Sequence, residues 1–234
     1  RGIKPIIGCE VYVAPKSRFK REKTKGKETS YHLILLAKNK KGYQNLMELT
    51  SLGFLEGFYY NPRLDKDILS QKKEGLIALS GCMKGEIPFL LQQGRYEEAR
   101  KAAIFYRELY RDDFYLELQD EDIEGQKEIN QALIELAEEL SIPLVATNDV
   151  HYLSKEDAKA HDALLCIQTG KTLEDSNRLK FSSSNFYFRS PEEMRRLFSD
   201  HPEAISNTVL IAKKCNLELE LGRVYLPTYN PPQG

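Results

Sequence analysis

The sequence contains few of the residues that mark several large classes of protein. It has no tryptophan, three methionines and four cysteines, and the cysteines stand far apart without a CxxC pair. Such cysteines are expected as free thiols in a reducing compartment, so we predict a cytoplasmic protein. No apolar stretch approaches the roughly 18 to 20 residues that cross a membrane. These absences argue against a disulfide-stabilised secreted domain and against a membrane-spanning protein.

An excess of positive charge is also missing. The 34 basic and 35 acidic residues give a formal net charge of −1, which argues against nucleic-acid binding through bulk charge. The one biased segment holds seven Lys or Arg residues between Lys16 and Lys27. It separates two predicted strands and is therefore a predicted loop. Both a solvated surface and a contact with nucleic acid or a partner remain open for it.

The two ends of the sequence look like cut points. The chain begins RGIKPIIGCEVYV, with neither Met nor a signal-like segment, and enters an apolar strand almost at once. It closes with LPTYNPPQG, a proline-rich stretch typical of a linker. We therefore expect a segment of a longer polypeptide.

Short apolar runs alternate with amphipathic patterns through the first two thirds of the chain, which predicts an α/β fold with parallel strands. The runs are continuous rather than alternating, as expected of strands covered on both faces. Strands are predicted at 5–13, 31–37, 75–81, 114–118 and 143–147, and helices at 42–54, at 86–110 with a break at Gly94, and at 125–141.

Helical faces and caps follow from residue spacing. The first helix is predicted to bury Tyr43, Leu46, Met47 and Thr50. The helix at 125–141 is predicted to bury a stripe made of Ile129, Leu133, Leu136, Ala137 and Leu140. After residue 152 the helical content rises. There Ser190, Pro191 and Glu193 form a capping pattern, and Pro202 opens another helix.

Several polar residues fall at predicted strand ends, where parallel α/β proteins carry their chemistry. Glu10, Cys82, Asp149 and His151 together form a ligand set suited to Zn²⁺ or Mn²⁺. Taken singly, Asp149 also fits a helix cap and Cys82 a small buried apolar residue. Glu117 fits a structural ion pair. His161 and His201 fit a core-edge position and a helix N-terminus better than a ligand role.

Longer stretches of the sequence resemble a known family. YHLILLAKNKKGYQNLMEL, GLIALSGCMKGEIP, YLELQD and PLVATNDVHYLSKEDAKAHDALLCIQTGK together resemble the PHP (polymerase and histidinol phosphatase) domain of bacterial DNA polymerase III alpha subunits. The resemblance spans essentially the whole chain. It implies a distorted (β/α)7 TIM-like barrel, here without its N-terminal strands and with a helical C-terminal part. Residues 1–225 would form the domain, and 226–234 a linker toward the polymerase palm.

The resemblance also implies a metal centre that holds up to three ions, zinc or manganese. Its ligands fall on Glu10 as a bridging carboxylate, His32, Cys82, Asp149 and His151. His32 joins this set by resemblance alone, because it opens its strand. The family's remaining ligands would precede Arg1, so five ligands would not fill three positions. We therefore predict one weakly held ion, near Asp149 and His151.

Three hypotheses of function follow from the resemblance. The first is a metal-dependent phosphoesterase that acts as a 3′→5′ proofreading exonuclease within a DNA-replicating polymerase. Its partners would be DNA and the rest of the polymerase chain. The second is a structural module that braces the polymerase and a separate proofreading exonuclease subunit, with metals serving stability. The third is a relative of histidinol-phosphate phosphatase. The catalytic and DNA-binding residues stay unassigned at this point, and no membrane partner is expected.

Overall fold

The computed structural model describes residues 2–22 and 28–222, together with residues 224, 226, 229 and 231. Six strands and eight α-helices follow one another along this part of the chain. They are β1 (Gly8–Val13), β2 (Tyr31–Ala37), α1 (Lys40–Leu55), β3 (Arg63–Leu64), α2 (Lys66–Gln71), β4 (Leu76–Leu79), α3 (Glu86–Gln92), α4 (Tyr96–Tyr110), β5 (Phe114–Leu118), α5 (Gln126–Leu140), β6 (Leu144–Ala146), α6 (Ala158–Thr169), α7 (Pro191–Leu197) and α8 (Pro202–Lys214). The predicted α/β class is confirmed.

The strands form one mixed sheet in the order β3-β1-β2-β4-β5-β6. Strand β2 is antiparallel to both β1 and β4, whereas the pairs β1–β3, β4–β5 and β5–β6 are parallel. The prediction of purely parallel pairing was therefore wrong. The described residues between β1 and β2 form no helix, and β2 returns alongside β1 in the opposite direction, as in a hairpin with a long connection. Over the described residues the sheet is open, with β3 and β6 at its edges.

The helices cover the sheet with apolar faces. The predicted stripe of α5 is confirmed, since all five of its residues are buried. The predicted face of α1 was only partly right: Leu46 is buried, but Met47 is exposed. Helix α1 instead turns Gly42 and Leu49 inward. A Cβ on Gly42 would lie 1.9 Å from the carbonyl oxygen of Gly75, so this close backbone approach fixes which face packs.

A buried guanidinium organises the loop that follows β1. Arg63 is 2% exposed and donates to the carbonyl oxygens of Gly57, Thr29, Arg18 and Lys20, at 3.1, 3.4, 3.1 and 2.8 Å. These acceptors include two residues of the basic segment, whose described residues form a loop as predicted. The lysines at 23, 25 and 27 of that segment lie outside the described residues.

The C-terminal part is helical, as predicted. Helix α7 carries the expected capping box between Ser190 and Glu193, with Pro191 in its first turn, and Pro202 opens α8. Helix α8 is tied to β6 where the Asn207 amide donates to the carbonyl of Leu144 at 2.7 Å. In the described residues no helix has the length and apolar character that a membrane crossing requires. Most of the predicted linker 226–234 lies outside the described residues.

Candidate metal centre

Three metal-ligating side chains meet at one end of the sheet. Glu10, His32 and Cys82 each place a ligand atom within 4.8 Å of the other two. His32 Nδ1 lies 3.1 Å from Glu10 Oε1 and 3.6 Å from Cys82 Sγ. Ligands bound tetrahedrally at 2.0–2.3 Å stand about 3.5 Å apart, so the three donors have a spacing that fits one ion. Thiolate, imidazole and carboxylate together suit zinc.

The antiparallel course of β2 explains why His32 belongs to this group. Tyr12, near the end of β1, pairs with His32 at the start of β2, so a strand start and a strand end meet at one rim. The His32 backbone N–H donates to Lys84 O at 2.9 Å, which brings the segment after β4 alongside. Glu10, expected at the end of its strand, lies inside β1, which continues to Val13.

The pKa values of Glu10 and Cys82 are shifted in opposite directions. The hydrogen bond from His32 is the main cause that lowers the pKa of Glu10, which is 41% exposed. Burial raises the pKa of the Cys82 thiol to about 12, and the nearby charges of Asp149, Glu10 and Glu117 act in the same direction. A cation bound beside Cys82 would lower the pKa of its thiol, because a positive charge favours the thiolate over the thiol.

Asp149 and His151 form a separate pair at the same end of the sheet. His151 Nε2 lies 3.4 Å from Asp149 Oδ1. The charge of His151 contributes to the lowered pKa of Glu10, which places both groups of ligands within electrostatic range of each other. The predicted ligands therefore converge, although the closest donors belong to Glu10, His32 and Cys82 rather than to the Asp149 pair.

An aromatic wall supports His151. Its ring packs edge-on against Phe181 and Phe186, at centroid distances of 4.8 and 5.4 Å, and against His161 at 5.4 Å. The backbone N–H of His151 donates to Phe186 O at 2.8 Å. His161 thus touches the site through a ring contact, which its position on a predicted helix did not indicate. His201 occupies the N-cap position of α8, as its sequence position suggested, without a capping hydrogen bond from its side chain.

Glu117 differs from its predicted role as an ion-pair partner. It is 5% exposed, and over the described residues it forms no salt bridge. Its carboxylate accepts hydrogen bonds from the backbone of Gly81 and from the side chains of Gln119 and Thr147. Burial raises its pKa to about 7.

Two further residues near the site were missed at the level of sequence. The Tyr12 ring packs edge-on against His32 at 5.1 Å. Glu121, which is 1% exposed, accepts the backbone N–H of Asp149 at 3.3 Å. The spacing of Tyr12 two residues after Glu10 on the same strand was an available signal, because such residues share one face. Glu121 lies in an irregular segment and gave no comparable signal.

Comparisons with known proteins show the family of the chain. The family model described as "PHP domain" matches residues 1–121, which is just over half of the chain. The chain belongs to the PHP domain family. This PHP domain is 50% identical to the DNA polymerase III subunit alpha of Treponema pallidum over 232 residues, 48% to that of Borreliella burgdorferi and 44% to that of Helicobacter pylori.

The alignments cover 99%, 99% and 94% of this PHP domain but only 20%, 20% and 19% of the three relatives. The chain therefore spans about one fifth of the length of the curated relatives it matches. PHP domains are generally metal-binding, and this one contains a candidate site of three ligands. The roles of all five predicted ligands stay predictions.

Proposed function

We propose that this PHP domain belongs to a replicative DNA polymerase III alpha subunit and hydrolyses phosphodiester bonds there, as a metal-dependent 3′→5′ proofreading exonuclease. The proposal takes residues 1–225 as the domain, in a distorted (β/α)7 barrel of which the open sheet is the larger part. Residues 226–234 would lead to the polymerase palm. DNA and the remainder of the polymerase would be its partners.

The observation that carries this proposal is the convergence of Glu10, His32 and Cys82 within 4.8 Å. Each comes from a different strand or strand end, so the fold, rather than local sequence, brings them together. Zinc or manganese, up to three ions with Asp149 and His151 included, is the cofactor we propose. When bound, such ions supply Lewis-acid activation of a water molecule and of a phosphoryl oxygen.

The chain's own residues would hold and orient that chemistry. Glu10 stays ionised at neutral pH, because the hydrogen bond from His32 lowers its pKa, so it would offer a charged carboxylate to a bound ion. Cys82 must lose its proton to act as a ligand, and its buried position makes that loss dependent on a cation. His151 and Asp149 would help to hold a second ion.

Metal uptake and hydrolysis can be tested separately. Titration with zinc, followed by elemental analysis after gel filtration, should show retained zinc in the wild-type chain and loss of it in Cys82→Ser. Cys215→Ser is the matched control, because Cys215 is buried and precedes Asn216, whose backbone N–H donates to Lys38 just beyond the end of β2 opposite His32. Release of nucleotides from a 3′-labelled DNA strand should then be measured in the full-length gene product with and without Cys82→Ser. Equal release by the two proteins would contradict the catalytic part.

Exposed apolar side chains favour a second candidate function, a module that braces other parts of a polymerase. Leu55, Leu153 and Ile167 are 79%, 78% and 77% exposed. Large exposed apolar surface often marks a site of protein contact. In this reading, metal ions would serve stability, and a separate exonuclease subunit would be one partner. A metal-loaded full-length protein that binds DNA but releases no nucleotide would favour this candidate.

A further inference from the structure

One buried carboxylate connects three strand ends behind the candidate metal centre. Glu117 lies on β5, and its Oε2 accepts the Gly81 backbone N–H at 3.0 Å. Its Oε1 accepts the Thr147 hydroxyl and, at 3.1 Å, the Gln119 amide. The Gln119 amide also donates to Thr147 Oγ1 at 3.1 Å, which closes the network. A single side chain thus joins the segments that follow β4 and β6.

Both segments lead directly into candidate ligands. Gly81 precedes Cys82, and Thr147 lies two residues before Asp149. The segment after β4 is held a second time, because the Ser80 hydroxyl accepts the Glu117 backbone N–H at 2.9 Å. The positions of the Cys82 sulfur and of the Asp149 carboxylate therefore depend on the same buried side chain.

The backbone at Gly81 leaves this turn little freedom to adjust. Gly81 has a φ of +80°, a conformation that favours glycine. A Cβ there would lie 3.1 Å from the carbonyl oxygen of His32. The turn consequently passes close to a second ligand-bearing strand. A shift of Gly81 away from Glu117 would change the spacing of Cys82 and His32 together.

The charge of Glu117 has no structural counterion over the described residues, since its three hydrogen-bond donors are all neutral. A buried carboxylate without a counterion is costly, and an amide would fill the same volume at lower cost. The negative charge of Asp149 adds to the cost. A cation at the neighbouring rim would offset both charges, which gives a carboxylate a reason to occupy this position.

We infer that Glu117 is a positioning residue of the metal centre, which holds the Gly81–Cys82 turn and the Thr147–Asp149 segment at the spacing that bound divalent cations require. The inference rests on the proposed metal-dependent function. Residues behind the direct ligands typically change metal affinity by 10- to 100-fold when they are replaced.

Cobalt titration of the chain tests this inference, because a thiolate ligand gives Co²⁺ a charge-transfer absorption that reports on Cys82 alone among the ligands. We expect Glu117→Gln to lower the cobalt affinity at least about 10-fold and to weaken this absorption. Thr147→Val, a milder change of similar volume, should give a smaller loss. Asp65→Asn changes another buried carboxylate, which bonds to Arg18 and Ile68, and should leave both readouts unchanged.

A second measurement needs no metal. Hydrogen exchange at the Gly81 amide should accelerate in Glu117→Gln, because the replacement amide cannot accept that hydrogen bond in the orientation that preserves the bond from Thr147. Wild-type cobalt affinity and wild-type Gly81 exchange in Glu117→Gln would overturn the inference. A wild-type chain that takes up neither zinc nor cobalt would instead overturn the proposed function.

Discussion

The two halves of the sheet bring ligands to the same rim in different ways. In the antiparallel half, β1 and β2 place Glu10 and His32 face to face, partly exposed, with a hydrogen bond between them. In the parallel half, β4, β5 and β6 end in segments that carry Cys82 and Asp149, and a buried Glu117 joins these segments from behind. One half orients its ligands by direct contact, the other through a supporting network.

The pKa values of two glutamates, one in each half of the sheet, show how this difference affects ionisation. Glu10 has a lowered pKa, chiefly because His32 hydrogen-bonds to it. Glu117 has a pKa raised to about 7, chiefly because it is buried. The nearby charges of His32, Lys84 and His151 also lower the pKa of Glu10. The charge of Asp149 instead contributes to the raised pKa of Glu117, so the uncompensated negative charge lies in the parallel half.

The largest expected effect tests whether the two halves form one cooperative unit. Leu35 on β2 and Leu116 on β5 are both fully buried in the same core. Leu35→Ala and Leu116→Ala should each lower the free energy of unfolding by about 2–5 kcal/mol, with one transition in urea. Leu55→Ala, at a side chain that is 79% exposed, should change it by less than about 0.5 kcal/mol. Two separate transitions would show that the halves unfold independently.

The next effect concerns the pH dependence of stability. The folded pKa of Glu117, about 7, lies above its ordinary value of 4.5, so the folded chain binds more protons than the unfolded chain between these values. Its contribution to stability is therefore greatest below pH 4.5 and is lost as the pH rises through 7, by up to about 3 kcal/mol.

Urea unfolding of the metal-free chain between pH 4.5 and 8 measures this loss. The difference in stability between the wild type and Glu117→Gln should shift in favour of the variant as the pH rises. Asp65→Asn, measured alongside, should not show that shift. Parallel pH profiles for the wild type and Glu117→Gln would mean that Glu117 is ionised throughout this range.

Zinc should stabilise the chain through the antiparallel half more than through the Asp149 pair. At a free zinc concentration of 100 times Kd, binding adds about 2.7 kcal/mol to the free energy of unfolding. Glu10→Gln should remove most of this gain and Asp149→Asn a smaller part, because Glu10 belongs to the group of three close donors. Glu139→Gln is the control, since Glu139 lies in the last turn of α5 and its carboxylate accepts hydrogen bonds from Tyr96 and Arg100. A larger loss in Asp149→Asn would restore the expectation that the single ion lies near Asp149 and His151.

The smallest expected effect concerns the orientation of His32. The edge-on contact between the Tyr12 and His32 rings is worth about 0.5–1.5 kcal/mol beyond simple burial. Tyr12→Leu should lose that amount in thermal unfolding and weaken zinc binding, whereas Tyr12→Phe keeps the ring and should change little. If Tyr12→Phe were as harmful as Tyr12→Leu, the phenol hydroxyl rather than the ring contact would be responsible.

Patterns within single elements predicted much of this fold, whereas relations between elements were harder to predict. The apolar stripe of α5 and the boundaries of β2 and β5 follow from local spacing, and the structure confirms them. The direction of β2 does not follow from local spacing, because the connection from β1 is long enough for either parallel or antiparallel pairing. His32 was for that reason placed in the site by resemblance and not by geometry.

The residues of the site also divide into those that local sequence patterns predict and those whose role depends on contacts between elements. Cys82 and Asp149 follow strand ends, and Glu10 was expected at one, so all three could be selected as candidate ligands from sequence. The role of Glu117 depends on its contacts with Gly81 and Thr147 in the folded chain, and the sequence of β5 alone does not predict these contacts. Glu117 is buried without a counterion over the described residues, which is unusual for a glutamate, so the prediction that Glu117 forms an ion pair was wrong.

The buried guanidinium of Arg63 has a consequence for the basic loop. Its donors hold the carbonyls of Thr29, Arg18 and Lys20, so this residue of β3 fixes the backbone of a segment that lies more than thirty positions away in sequence. The described part of the loop is therefore held in place by hydrogen bonds from a strand that is distant in sequence. Exchange of Lys20 would keep the backbone carbonyl that Arg63 binds, whereas loss of the Arg63 guanidinium would release the carbonyls of Arg18, Lys20 and Thr29 together.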